Sequence, residues 1–336
     1  MKKMKMRTSI VLGVVVWVLY GCSGSGSQGG GLVMSSGRAG EVLVVCANKQ
    51  WQGELGDSLQ AILMQPVLIL PQEESLFLLS HVAPQHFKDA FQKQRNILIL
   101  SIDTLLEKGT MSITHNQWAK DQMVMRITAN SLPHLIDEVS NRQTRIIDRL
   151  MNREMSRFLQ AQKCRQDFRL SREVEKKYKI SLVIPNGFVF AVKDSNFCWL
   201  RGDTKDWTQS IMVYMQDYVH VKQFSGDYIL RLRDSLTKQY VFGAADSSYI
   251  TTDKKYFPPI SEPTAAFGGS YAVRTVGLWR AEGDFMGGPF VNFTLLDTSK
   301  NRIITLDAFL YAPNDKKRDY LRQIEAILLH VKLLDK

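Results

Sequence analysis

The stretch from Ser131 to Tyr178 constrains the fold most. Leu132, Leu135, Ile136, Val139, Ile147, Leu150, Phe158 and Leu159 recur at helical spacing, and neither Gly nor Pro occurs between His134 and Tyr178. Side chains three and four apart share one face of an α-helix, so this periodicity predicts a long amphipathic helix with Ser131 as its N-cap. Unbroken, it would be ~70 Å long at ~1.5 Å per residue. A break or bend is therefore expected, placed after Phe158. The same stretch is basic: residues 142–179 hold 12 Lys and Arg against 5 Asp and Glu. Arg142, Arg145, Arg149, Arg153 and Arg157 fall within an arc of ~120° at ~100° per residue. They are expected to form a solvated face that could meet an anionic lipid surface or an acidic partner.

Before this helix, strands alternate with helices. Glu41 to Cys46, Ser75 to Val82, Asn96 to Ile102 and Gln122 to Ala129 read as strands. Leu55 to Met64 and Pro84 to Gln94 read as helices, the latter with Phe87 and Phe91 on one face. That rhythm predicts an α/β layer. After the helix the character changes. Lys179 to Ile184, Phe188 to Val192, Phe197 to Arg201, Ser210 to Gln216, Tyr271 to Ala281, Phe290 to Leu296 and Arg302 to Ala312 read as strands, with a helix over Tyr228 to Lys238. Asn314 is expected to cap a terminal helix that turns Leu321, Ile324, Ile327, Leu328, Val331 and Leu334 inward. The expected class is α+β: an N-terminal α/β domain with the long helix over 40–178, then a mainly antiparallel sheet closed by a C-terminal helix over 179–336.

The first residues address location rather than fold. Lys2, Lys3, Lys5 and Arg7 precede an uncharged apolar run from Thr8 to Tyr20, followed by Leu19-Tyr20-Gly21-Cys22. About 13 uncharged, mostly apolar residues fit the core of a secretory signal and are too few to cross a bilayer. A small residue before Cys22 suits a signal peptidase, and the thiol suits attachment of diacylglycerol. Residues 1–21 are thus expected to be a lipoprotein signal peptide, with Cys22 lipidated and 22–39 a tether. Ser23 to Gly31 is built from Ser, Gly and one Gln, a linker composition. The chain carries a net charge of +10, and four of its cations fall in the first 21 residues. The remaining excess of +6 is smaller than the +7 of residues 142–179.

Chemistry-bearing motifs are sparse. Cys46 and Cys198 sit in apolar strand contexts and read as packing thiols, and with Cys164 they allow one disulfide at most. The six His residues show no metal-ligand spacing, and no metal or cofactor is expected. Gly-x-Ser-x-Gly is absent, and Asp246-Ser247-Ser248-Tyr249 reads as a turn. Gly283 to Pro289 lacks a phosphate-loop Lys and leads into a strand, so it reads as a turn. Trp279, Arg280, Glu282 and Asp284, with Gly287 and Gly288, nevertheless place an aromatic, a cation and two acids close in sequence. They are a candidate ligand or partner site.

Two resemblances follow from specific segments. Gly40-Glu41-Val42-Leu43-Val44-Val45, Leu70-Pro71-Gln72-Glu73, Arg95-Asn96-Ile97-Leu98, Gln117-Trp118, Gly277-Leu278-Trp279-Arg280 and Met286-Gly287-Gly288-Pro289-Phe290 resemble the Bacteroidetes lipoprotein family called domain of unknown function 4837. That resemblance implies a lipid-anchored envelope protein and no particular activity. Surface-exported lipoproteins of that phylum carry acids just after the lipidated Cys; here there are none, which implies the periplasmic face of the outer membrane. Ile184-Pro185-Asn186-Gly187-Phe188, opening a sheet that ends in a strand and a helix, is similar to the Mog1/PsbP-like fold. The function expected from these readings is a tethered binding or assembly module. Its partners would be the bilayer through acyl chains on Cys22, and an envelope protein or anionic lipid. An envelope hydrolase of cell-wall or lipid material is the rival reading. Nucleic acid is not expected outside the cytoplasm.

Overall fold

A computed structural model describes residues 31–334 apart from 244 and 246. The expected signal peptide, Cys22, most of the tether and Asp246 lie outside the described residues. From Val33 onward the described residues form one compact unit.

Its first sheet holds β1 (Glu41–Val45), β2 (Leu78–Val82), β3 (Asn96–Ile102), β4 (Thr110–His115) and β5 (Met123–Ala129) in the order β2-β1-β3-β5-β4. The pairs among β1, β2, β3 and β5 are parallel, and β4 is an antiparallel edge strand. Parallel strands need both faces covered, which is why β1 and β3 read as nearly continuous apolar runs. Among the helices of this half are α1 (Asn48–Trp51), α2 (Glu54–Leu63), α3 (Leu132–Asn141) and α4 (Gln143–Lys163). Leu55, Leu59, Leu135, Val139, Ile146 and Leu150 of α2, α3 and α4 cover one face. Phe87 and Trp118, packed edge to face, help close the other. The helix expected over Pro84 to Gln94 is instead two short 3-10 turns, Pro84–His86 and Phe91–Lys93. Asp89 between them has φ +52, a left-handed conformation that no α-helix accommodates.

The long helical pattern is real but falls into three helices, the third being α5 (Phe168–Tyr178). It breaks at Arg142 and after Lys163 rather than after Phe158. At the second break the Asp167 backbone N–H donates to the Ile184 carbonyl, and its carboxylate caps α5 by accepting from the Leu170 N–H.

After β6 (Ile180–Ser181), the second sheet comprises β7 (Phe188–Lys193), β8 (Phe197–Asp203), β9 (Thr208–Asp217), β10 (Tyr249–Asp253), β11 (Ile260–Thr264), β12 (Ala272–Glu282), β13 (Gly287–Asp297) and β14 (Arg302–Tyr311). The strand order is β10-β12-β13-β14-β9-β8-β7, with β11 also on β12, and every pair is antiparallel. One face packs on α5 and on α7 (Arg318–Leu328), and the other on α6 (Gly226–Tyr240). β15 (Lys332–Leu333) pairs with β6. The α+β class is thus observed, with the strands of the late cluster close to their expected limits. Under α6 lies a fully buried ion pair, Arg233 Nε to Asp307 Oδ2 at 3.0 Å. Burial raises the Asp307 carboxyl above its ordinary range, and Arg233 opposes that rise.

The terminal helix turns Leu321, Ile324, Ile327 and Leu328 inward, as its periodicity predicts. Asn314 does not cap it. The helix starts later, and the buried Glu74 carboxylate, from the segment before β2, accepts from the backbone N–H groups of Lys317 and Arg318.

Candidate functional site

The clearest concave site lies between α4 and the edge strand β4. β4 alternates: Met111 and Ile113 are half-buried, while Thr110, Ser112 and Thr114 are exposed. Such alternation sends successive side chains to opposite faces, so one apolar row faces the flank of α4. On α4, Ile146 and Leu150 are buried in the core. Arg145, Arg149, Asn152, Arg153 and Ser156 stand beside them along the helix flank. Together with Met111, Ile113, His115 and Met123 they line a groove of about 460 Å³.

The electrostatics of this groove are one-sided. Among the described residues, neither Arg145 nor Arg149 makes a hydrogen bond or ion pair. Arg153 pairs with Asp121 at 2.7 Å, and its buried Nε has no partner. Asp121 is shared with Arg157. Guanidinium groups present planar donor sets suited to carboxylate and phosphate oxygens. Met111 and Ile113 offer the opposite wall to hydrocarbon. His115 and Ser156 both border the groove, but no hydrogen bond joins them, so no activated nucleophile is assembled.

The other two arginines of the expected arc are occupied elsewhere. Arg142 sits at the α3–α4 junction and pairs with Glu138 at 2.5 Å. Arg157 is buried, not solvated. Its guanidinium donates to the Glu154 carboxylate, the Asn96 side chain and the backbone carbonyls of Arg95 and Asp121. Glu154 is itself fully buried and also accepts from the Gly40 N–H and from Arg95. Desolvation lowers the Arg157 pKa, against the pull of Glu154. The arc therefore contributes three arginines to the groove and one to a buried hub.

The second expected site is divided between core and surface. Trp279 is buried, and its indole N–H donates to the Leu310 carbonyl at 3.1 Å. Arg280 and Glu282 lie on the exposed face and pair with each other at 2.5 Å. Asp284 belongs to the β12–β13 turn and accepts from the Phe285 and Ala245 N–H groups. Gly288 allows close packing, because a Cβ there would run into the Leu310 carbonyl oxygen. Trp279 and Gly288 thus serve strand packing.

Elsewhere, a depression of about 560 Å³ is lined in part by His81, His86, Lys88 and Asp89. Its ionisable groups are of mixed sign, and His81 is stacked on Trp51 and bonded to the Cys46 carbonyl. Among the described residues no group of three or more His, Cys, Asp and Glu could hold a metal ion. Cys46 and Cys198 are buried free thiols, pushed up to about 11 and about 12 by desolvation. No helix among the described residues is long and apolar enough to cross a membrane.

Sequence reasoning missed Met111, Ile113 and His115, because β4 went unread. The alternation Thr-Met-Ser-Ile-Thr-His was the available sign.

Residues 167–330 match the model of the family described as "Domain of unknown function (DUF4837)", and residues 35–163 match that of "Domain of unknown function (DUF8532)". No curated protein matches the chain. Among solved structures, the chain is weakly similar to the Saccharomyces cerevisiae Ran-binding protein Mog1p. The identity is 10%, 47% of this chain and 91% of that one are covered, and the TM-score is 0.30. It is also similar to a mutant of the protein Mog1, at 11% identity, with 47% and 92% covered and a TM-score of 0.29.

Proposed function

For a chain whose residues 167–330 match the model of the family described as domain of unknown function 4837, we propose a tethered binding module of the cell envelope. In this reading Cys22 carries acyl chains, the outer membrane holds them on its periplasmic side, and the groove between α4 and β4 is the binding site. The observation that carries the binding role is the groove itself: Arg145, Arg149 and Arg153 on one wall, and Met111 and Ile113 on the other. A cationic wall facing an apolar wall suits an amphiphile with an anionic head. The placement draws its support from Leu19-Tyr20-Gly21-Cys22 after an apolar run.

Fatty-acid labelling in cells tests the placement. The chain is expected to take up label and to sediment with membranes, and the Cys22→Ala variant to do neither. Equal membrane partition of the two, with no label on either, would overturn it.

A further inference from the structure

We propose that the groove docks on the anionic surface of the bilayer, with Val33 and Met34 lying beside it against the same surface. The inference rests on the tethered reading above for which bilayer this is.

The place where the chain enters the compact unit carries it. Lys120 donates its backbone N–H to the Val33 carbonyl, and Ser35 donates its own to the Lys120 carbonyl. The Ser35 hydroxyl donates to the Asp121 carbonyl. Asp121 in turn holds Arg153 at 2.7 Å through its carboxylate. Two contacts therefore join the entering segment to the groove wall, and Arg149 and Arg145 follow one and two turns along α4, ~6 and ~12 Å away at ~1.5 Å per residue. Residues 116–122, on which the segment rests, connect His115 to Met123, both lining the groove. Nine residues separate Cys22 from Leu32, a covalent span of at most ~35 Å. An anchored Cys22 thus keeps this end of the molecule within about that distance of the membrane surface.

The surface found at this end suits that position. Val33 and Met34 are 55% and 62% exposed, two adjacent apolar side chains open to solvent. Lys120 is bonded to this segment, and Asp121, which the Ser35 hydroxyl also reaches, has its carboxylate paired with Arg153 and Arg157; Arg149 and Arg145 continue the cationic row along α4. Apolar residues next to cations are the composition of an interfacial contact. Each cation near an anionic surface adds about fivefold to binding.

The test uses the chain from Ser23 onward, which contains the whole compact unit, in flotation with vesicles of phosphatidylcholine alone or with phosphatidylglycerol added. Binding is expected only to the anionic vesicles. It should weaken about 25-fold in Arg145→Gln/Arg149→Gln and be lost in 1 M salt, where the Debye length is ~3 Å. Val33→Ser/Met34→Ser should weaken it as well. Arg172→Gln/Lys176→Gln on α5 removes the same charge from another exposed helix and should leave binding within about twofold. No binding to anionic vesicles, equal binding to neutral ones, or equal loss in the α5 variant would overturn the inference. So would crosslinking from position 113 that captures a protein in cells while vesicles are ignored. Fatty-acid labelling reports separately on the tether: a labelled chain indifferent to vesicles sinks the docking surface alone, and an unlabelled chain that binds through Arg145 and Arg149 sinks the tether alone.

Discussion

The Leu310 carbonyl oxygen accepts the Trp279 indole N–H, and a Cβ on Gly288 would occupy the space it needs. Gly288→Ala must therefore push β13 from β14 or break that hydrogen bond. Forced overpacking of this kind costs about 1–3 kcal/mol, and urea unfolding should show a lower midpoint with an unchanged slope. A wild-type midpoint would mean that the strands absorb the methyl group. Side chains in the groove were read less evenly. A helical wheel placed five arginines on one arc, and Arg145 and Arg149 do face solvent. It could not show that Glu154, three residues before Arg157, is fully buried. A buried carboxylate without a cation is costly, and Arg157 is drawn inward to meet it. The pairing depends on Asn96, Gly40 and Arg95, all distant in sequence, so no local pattern announced it.

At the scale of elements, strong periodicity was legible and weak alternation was not. β1, β3, β5, β12, β13 and β14 were found because they are mostly apolar and mostly buried. β4, β10 and β11 were missed: each is largely polar in sequence, and the burial of β4 and β11 is partial at best. The helices between Ser131 and Tyr178 were recognised as helical, but their first break, at Arg142, has no Gly or Pro to mark it. The terminal helix begins at Arg318 because Glu74 caps it from 243 residues away, a partner that local sequence cannot reveal. Glu74→Ala is expected to cost about 2 kcal/mol, at the upper end for a lost cap. Hydrogen exchange in residues 318–321 should accelerate more than in β14. Uniform exchange would show that the carboxylate is dispensable to α7.

At the scale of the whole molecule, two family models meet between residues 163 and 167, yet many contacts cross that line. Arg318 donates to the carbonyls of Ser75 and Ala39, and Arg322 donates to that of Leu76. Met155 and Leu159 of α4 pack with Ala326 of α7. Burial lowers the Arg322 guanidinium to about 10, with the neighbouring Arg318 adding to the effect. Exposing either half would strand these groups. The two sheets should therefore unfold together: exchange-detected peptides from β3 and β14 are expected to share one urea midpoint, and two separated midpoints would refute it.

The entering segment has a mechanical consequence. Val33, Ser35 and Ser36 make four backbone hydrogen bonds, with Lys120 on one side and with Lys93 and Arg95 on the other. A pull on the chain ahead of Leu32 runs along that segment and loads the four bonds in shear, together rather than one after another. The attachment is thus shaped to resist a tug from its leading end.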